Sequence, residues 1–126
     1  MLADGTIKRV LVIDDSRIAR QQVINALKGA HFEVVEAVDG SDGIQKLDAD
    51  PALCLVICDV NMPRMSGIEV LATLRGRTKA PPPFLMLTSE AQPELIAEAK
   101  RQGAAAWMLK PFKPEHLIAA ATKLAV

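Results

Sequence analysis

The sequence predicts an α/β domain built on a parallel sheet with helices on both faces. Three observations predict it: five short apolar runs recur along the chain, the segments between them carry apolar residues at helical spacing, and the joins are short. Alternation of this kind implies right-handed crossovers between parallel strands.

The first run, RVLVI at 9–13, is apolar after Arg9 and reads as a buried strand. Ala19, Val23, Ala26, Leu27 and Ala30 then fall on one face of a helix. FEVVEA at 32–37 is the second strand, and its two glutamates suit an edge. A short helix over Asp42–Asp48 opens on GSDG. LCLVIC at 53–58 is the third strand. Cys54 and Cys58 are expected on one face of it, too far apart to bridge and both buried as small apolar groups. The third helix begins near Ser66 and sets Ile68, Leu71 and Leu74 on one side. APPP at 80–83 is a stiff approach to the fourth strand, PFLMLT at 83–88. Pro93 stands where a first helical residue should, followed by Glu94 and by Leu95, Ile96 and Ala99. AAWML at 105–109 is the fifth strand, after which Pro114, Glu115, Leu117, Ala121 and Leu124 repeat the helical pattern. The first, third and fourth runs are nearly all apolar, as doubly covered central strands are, and a 2-1-3-4-5 order fits them.

The length of 126 residues is that of one domain, expected over 1–126, with no repeat, low-complexity tract or linker and no room for an output domain. Fifteen basic and fifteen acidic residues give zero net charge, so no large-scale field draws nucleic acid or an anionic membrane. Half the residues are hydrophobic, yet no run approaches the roughly 18 apolar residues that cross a bilayer. The N-terminus lacks a cationic start, apolar core and cleavage site, so a cytoplasmic location is expected.

In an open α/β sheet, ligands bind beyond the carboxyl ends of the strands where strand order reverses. Asp14 and Asp15 follow the first strand, Asp59 the third and Lys110 the fifth, while Thr88 closes the fourth. Helix capping accounts for one aspartate before a helix, but not for a pair together with Asp59 on the neighbouring strand. Three close carboxylates repel one another unless a cation sits among them. Oxygen ligands without His or Cys point to Mg²⁺, with Mn²⁺ an acceptable substitute. Lys110 and Thr88 at the same opening suit a phosphoryl group, and Asp59 is the best-placed nucleophile because Asp14 and Asp15 are needed for the metal. The product would be an aspartyl phosphate.

The stretches VLVIDDS, VICDVNMPRMSG, LMLTSE and WMLKPF, in this order, resemble the receiver domain of two-component response regulators, most of all the CheY-like single-domain type. The resemblance runs from Lys8 to about Leu124. It implies the flavodoxin-like (βα)5 doubly wound fold with five parallel strands in the order 2-1-3-4-5. It also implies that Asp14 and Asp15 organise the metal, that Asp59 is the phosphoacceptor, and that the backbone carbonyl of Asn61 completes the metal site. Thr88 matches the switch hydroxyl, Lys110 the phosphate-contacting lysine, and Lys110–Pro111 a dipeptide usually joined by a cis bond. Trp107 stands where the family has a switch tyrosine or phenylalanine, and its bulk implies a partial swing. Asn61 and Glu90 match positions that tune dephosphorylation, here of the fast chemotaxis type. Pro63 and Gly67 shape the turn into the third helix, with Arg64 and Met65 following the ordinary loop pattern.

The resemblance implies a signalling switch rather than an enzyme, one that promotes its own phosphorylation and dephosphorylation. Its partners would be a sensor histidine kinase or histidine phosphotransfer protein and a downstream target protein, met through the fourth helix, fifth strand and fifth helix. A monomer is expected, dimerising where phosphorylation calls for it, with chemotaxis or motility as the setting. The alternatives are a phosphorelay intermediate or phosphate sink, and a phosphorylation-independent scaffold, which the complete acidic set argues against. A haloacid-dehalogenase-like phosphohydrolase would need an acid where Asn61 stands.

Overall fold

The apolar runs become strands within a residue or two of the limits read from sequence. The computed structural model describes residues 7–77, 79–90 and 92–125. In chain order the elements are β1 (Lys8–Ile13), α1 (Arg17–Lys28), β2 (Phe32–Ala37), α2 (Gly40–Ala49), β3 (Leu53–Asp59), α3 (Gly67–Arg75), β4 (Phe84–Thr88), α4 (Pro93–Arg101), β5 (Ala106–Leu109) and α5 (Pro114–Leu124). All strands pair in parallel, in the expected order β2-β1-β3-β4-β5.

Alternation along the central strands divides the core in two. Leu11, Ile13, Val56, Cys58 and Met86 face α2, α3 and α4, where they meet Ile44, Ile68, Leu71 and Ala99. Val10, Val12, Ile57, Leu85 and Leu87 face α1 and α5 and meet Val23, Leu27, Leu117 and Ala121. Both faces of β1, β3 and β4 are therefore dry, which is why those runs read as continuous apolar sequence.

Side-chain oxygens start three of the helices. Ser16, Asp39 and Ser66 accept from the backbone N–H three residues on, at Ala19, Asp42 and Glu69. The cap at Asp39 corrects the second helix: it begins at Gly40, so Asp42 lies in its first turn rather than at its start. Pro93 and Pro114 open α4 and α5 as expected, where no N–H is needed. Strand four starts at Phe84 rather than Pro83, which has no N–H to pair, although the Pro83 carbonyl accepts from Val56 N at 2.9 Å.

The expected placement of the cysteines is overturned by a bulge. Arg9 pairs with Leu53 but Val10 pairs with Leu55, so one extra residue of β3 stands opposite β1. The shift turns Cys54 to the α1/α5 face, half-buried with Sγ 3.3 Å from the Arg9 carbonyl, while Cys58 stays buried on the other face.

Candidate functional site

The carboxyl ends of β1 and β3 meet where strand order reverses, with β4 and β5 beside them. Asp14 keeps sheet geometry one residue past β1, its N–H donating to the Ala37 carbonyl at 3.2 Å. Its side chain is buried, and Oδ1 accepts the Ser16 N–H at 2.9 Å. Asp15, next along, is exposed. Arg20, one turn into α1, donates from Nη1 to the Asp14 carbonyl at 2.7 Å and from Nε to Glu36 on β2 at 3.0 Å.

Asp59 ends β3 and is 8% exposed. The chain beyond it is held by Val60 N–H on the Leu87 carbonyl and Gly67 N–H on the Val60 carbonyl, both at 3.0 Å. The loop so closed contains Arg64 at a left-handed φ of 69°, a position its sequence did not signal. It returns so tightly that a Cβ on Gly67 would lie 2.3 Å from the Asp59 carbonyl oxygen. Only glycine fits there.

Thr88, fully buried at the end of β4, accepts the Glu90 N–H on Oγ1 at 3.1 Å, with Asn61 Nδ2 at 3.4 Å. The Thr88 carbonyl takes the Lys110 N–H at 2.7 Å, which fixes Lys110 just past β5. The Lys110–Pro111 bond is cis. From there Nζ reaches Asp14 Oδ2 at 3.0 Å and Asp59 Oδ1 at 3.2 Å.

Burial pushes the Asp59 carboxyl above its ordinary value, and the Asp14 charge adds to it, against the pull of Lys110. Burial alone would lower the Lys110 ammonium, but the hydrogen bond and charge of Asp14, with those of Asp59, outweigh it and hold the group above its ordinary value. Burial, then the Asp59 and Asp14 charges, drive the Cys58 thiol far up, leaving an inert packing group.

One carboxylate oxygen each from Asp14, Asp15 and Asp59 can be chosen so that all lie within 4.8 Å of one another. Three carboxylates against one ammonium leave an anionic, oxygen-only donor set, which fits a hard divalent cation. The fold thus gathers Asp14, Asp15, Asp59, Thr88 and Lys110 at one edge, as the sequence led one to expect. Asn61 and Glu90 are exposed at its rim, the Glu90 carboxylate accepting from Gln92 Nε2 at 2.7 Å. Trp107 is half-buried against the α2/α3/α4 core, with its Nε1 buried and without a partner among the described residues. Arg20 escaped the sequence reading, although it shares a helical face with Val23 and Leu27 and so had to be buried.

Known proteins share this fold and family. The profile of the response regulator receiver domain matches residues 10–122. The chain is 33% identical over 120 residues to the transcriptional regulatory protein PdtaR of Mycobacterium tuberculosis, a match covering 94% of this chain and 57% of that protein. It is 32% identical over 111 residues to the chemotaxis protein CheY1 of Helicobacter pylori, covering 86% and 90% of the two. The solved structure of the chemotaxis protein CheY4 of Vibrio cholerae superposes with a TM-score of 0.87 at 38% identity, over 94% of this chain and 99% of that one.

Proposed function

The chain belongs to the response regulator receiver domain family of two-component systems, and from that premise we propose that it is a phosphorylation-driven switch with Asp59 as acceptor. The observation that carries this reading is the position of Lys110 Nζ, within hydrogen-bond reach of both Asp14 and Asp59 at the mouth of the acidic cluster.

An Asp59 carboxylate oxygen attacks phosphorus in line as the P–N bond of a partner's phosphohistidine breaks, and the leaving imidazole nitrogen keeps the electron pair and takes up a proton. Lys110 neutralises phosphoryl oxygens and the Thr88 hydroxyl donates to another. Asp14, Asp15 and Asp59 with the Asn61 backbone carbonyl would hold Mg²⁺, which supplies positive charge to the phosphoryl oxygens when bound. Asn61 and Glu90 line the path of an attacking water and set the lifetime of the acyl phosphate.

Signalling follows from the same residues. The Thr88 hydroxyl holds the Glu90 N–H, so its move toward a phosphoryl group releases the start of the β4–α4 connection. The surface that changes is α4, β5 and α5, read by a downstream protein in the cytoplasm, while a sensor histidine kinase or histidine phosphotransfer protein supplies the phosphoryl group. Similarity to two chemotaxis proteins supports a motility output. Among the described residues no helix is long and apolar enough to cross a membrane.

The test is intact mass after incubation with acetyl phosphate and Mg²⁺, beside an Asp59→Asn control and a chelated control. A single labile phosphoryl adduct confined to the unaltered, metal-supplied sample is expected. An adduct of equal yield on Asp59→Asn would refute the assignment.

A further inference from the structure

Arg20 is a charged side chain in the wrong place for a surface helix. It is 9% exposed and stands on the core face of α1 with Val23 and Leu27. Burying a guanidinium is costly unless its donors are matched. Its Nε meets Glu36, whose own side chain is 48% exposed, a pairing of the kind that contributes little by itself. The shorter contact is to a backbone group: Nη1 lies 2.7 Å from the Asp14 carbonyl.

That carbonyl belongs to the peptide joining Asp14 to Asp15. The peptide is planar, so fixing its oxygen fixes the plane through which the two carboxylates are connected. The N–H of Asp14 is held by Ala37, its Oδ1 by the Ser16 N–H and its Oδ2 by Lys110, which leaves the carbonyl as the remaining point of attachment. Arg20 supplies it, and Glu36 on the edge strand keeps the guanidinium turned toward it. Arg20 thus bears on the cluster through the backbone of Asp14, which carries one of its three carboxylates.

Resting on the reading of Asp14, Asp15 and Asp59 as a divalent-cation site, we propose that Arg20 is its positioning residue, with Glu36 as the support that orients it. A lysine is no equivalent, because one ammonium on a flexible stem does not present two donors in a fixed fork to a carbonyl and a carboxylate together. Groups that orient metal ligands without touching the metal change affinity by about 10- to 100-fold when removed.

The experiment is a MgCl₂ titration followed by the backbone amide shifts of residues 14–16, with a thermal melt of each variant. Arg20→Met is expected to weaken Mg²⁺ binding about tenfold, with Arg20→Lys recovering part of the loss. Glu36→Ala, at a half-exposed site, is expected to weaken it measurably but less than Arg20→Met does, while melting close to the unaltered protein. Asp15→Asn, measured alongside, separates the two layers. If the unaltered protein shows no saturable Mg²⁺ response, the cation-site reading fails and this proposal with it. If the unaltered protein binds, Asp15→Asn does not, and folded Arg20→Met and Glu36→Ala bind as the unaltered protein does, the site stands and Arg20 has no positioning role. Should Arg20→Met not fold, Glu36→Ala decides alone: unchanged affinity there overturns the proposal.

Discussion

The Lys110 ammonium bridges Asp14 and Asp59, 3.0 Å from one carboxylate and 3.2 Å from the other, and so ties the ends of β1 and β3 together from beyond the edge strand β5. The ammonium offsets the repulsion between two buried acids. Lys110→Ala removes it and should lower stability at pH 7 by about 2 kcal/mol, the scale of a lost charged hydrogen bond. The ammonium is held above its ordinary value of 10.5, so its contribution is fully present below that value and lost as pH rises through the raised one. Melting curves of the two proteins should therefore separate near neutrality and converge in strong alkali.

The sign is opposite at Asp59. Burial and the Asp14 charge raise its carboxyl above 3.8, so the folded protein binds that proton more tightly than the unfolded chain does. Stability attributable to Asp59 falls as pH rises from 3.8 through the raised value, and the loss is complete above it. Asp59→Asn is then expected to stabilise the metal-free protein at pH 7, raising Tm by about 3 °C if the charge costs near 1 kcal/mol. Scanning calorimetry in chelator checks this, and the advantage should shrink as pH falls to 4.

Gly67 offers a steric test of how the acceptor is held. Its added Cβ would meet the Asp59 carbonyl oxygen at 2.3 Å and Cys58 Sγ at 3.0 Å, both deep in the core. Gly67→Ala should slow phosphorylation by acetyl phosphate about tenfold or more, since an ångström-scale displacement of a reacting group costs on the order of 100-fold, and should lower Tm. Gly76 is the control: it caps α3 in right-handed geometry, and among the described residues an added Cβ would meet nothing closer than 3.5 Å, so alanine there should be neutral or stabilise by about 0.5 kcal/mol.

Much of this was legible in the sequence because each feature has a local cause. Dry central strands must be apolar on both faces, Pro93 and Pro114 mark helix starts by their missing N–H, and the site residues sit where strands end. What was hidden depends on pairing between distant segments. The bulge at Cys54 exists only in register with Arg9 and Val10, so period-2 counting within LCLVIC put both cysteines on one face. The start of α2 was missed because capping by Asp39 looks, in sequence, like one more polar residue in a turn. Arg20 was readable in phase with Val23 and Leu27, yet its partners, the Asp14 carbonyl and Glu36, are 6 and 16 residues away, and the first is backbone, which sequence does not distinguish.

Thr88 is fully buried, and its Oγ1 accepts the Glu90 N–H at 3.1 Å, so the hydroxyl cannot turn to a phosphoryl group without releasing the first residues beyond β4. Valine fills the same volume without an acceptor. Thr88→Val should therefore cost only about 1 kcal/mol of stability, one ordinary hydrogen bond, and leave the Asp59 nucleophile and Lys110 in place. Phosphorylation by acetyl phosphate should slow for want of the Thr88 donor, yet still give the single adduct by intact mass. The conformational response should be lost. Trp107 is the single tryptophan of the chain, half-buried on β5 against the core below α4, so its fluorescence reports that response without interference. A phosphorylation-dependent change in the unaltered protein and in Thr88→Ser, absent from Thr88→Val, is the expected pattern. An equal change in Thr88→Val would mean that the phosphoryl group acts on β5 through Lys110 alone, and that the Thr88 hydroxyl only closes the turn at Glu90.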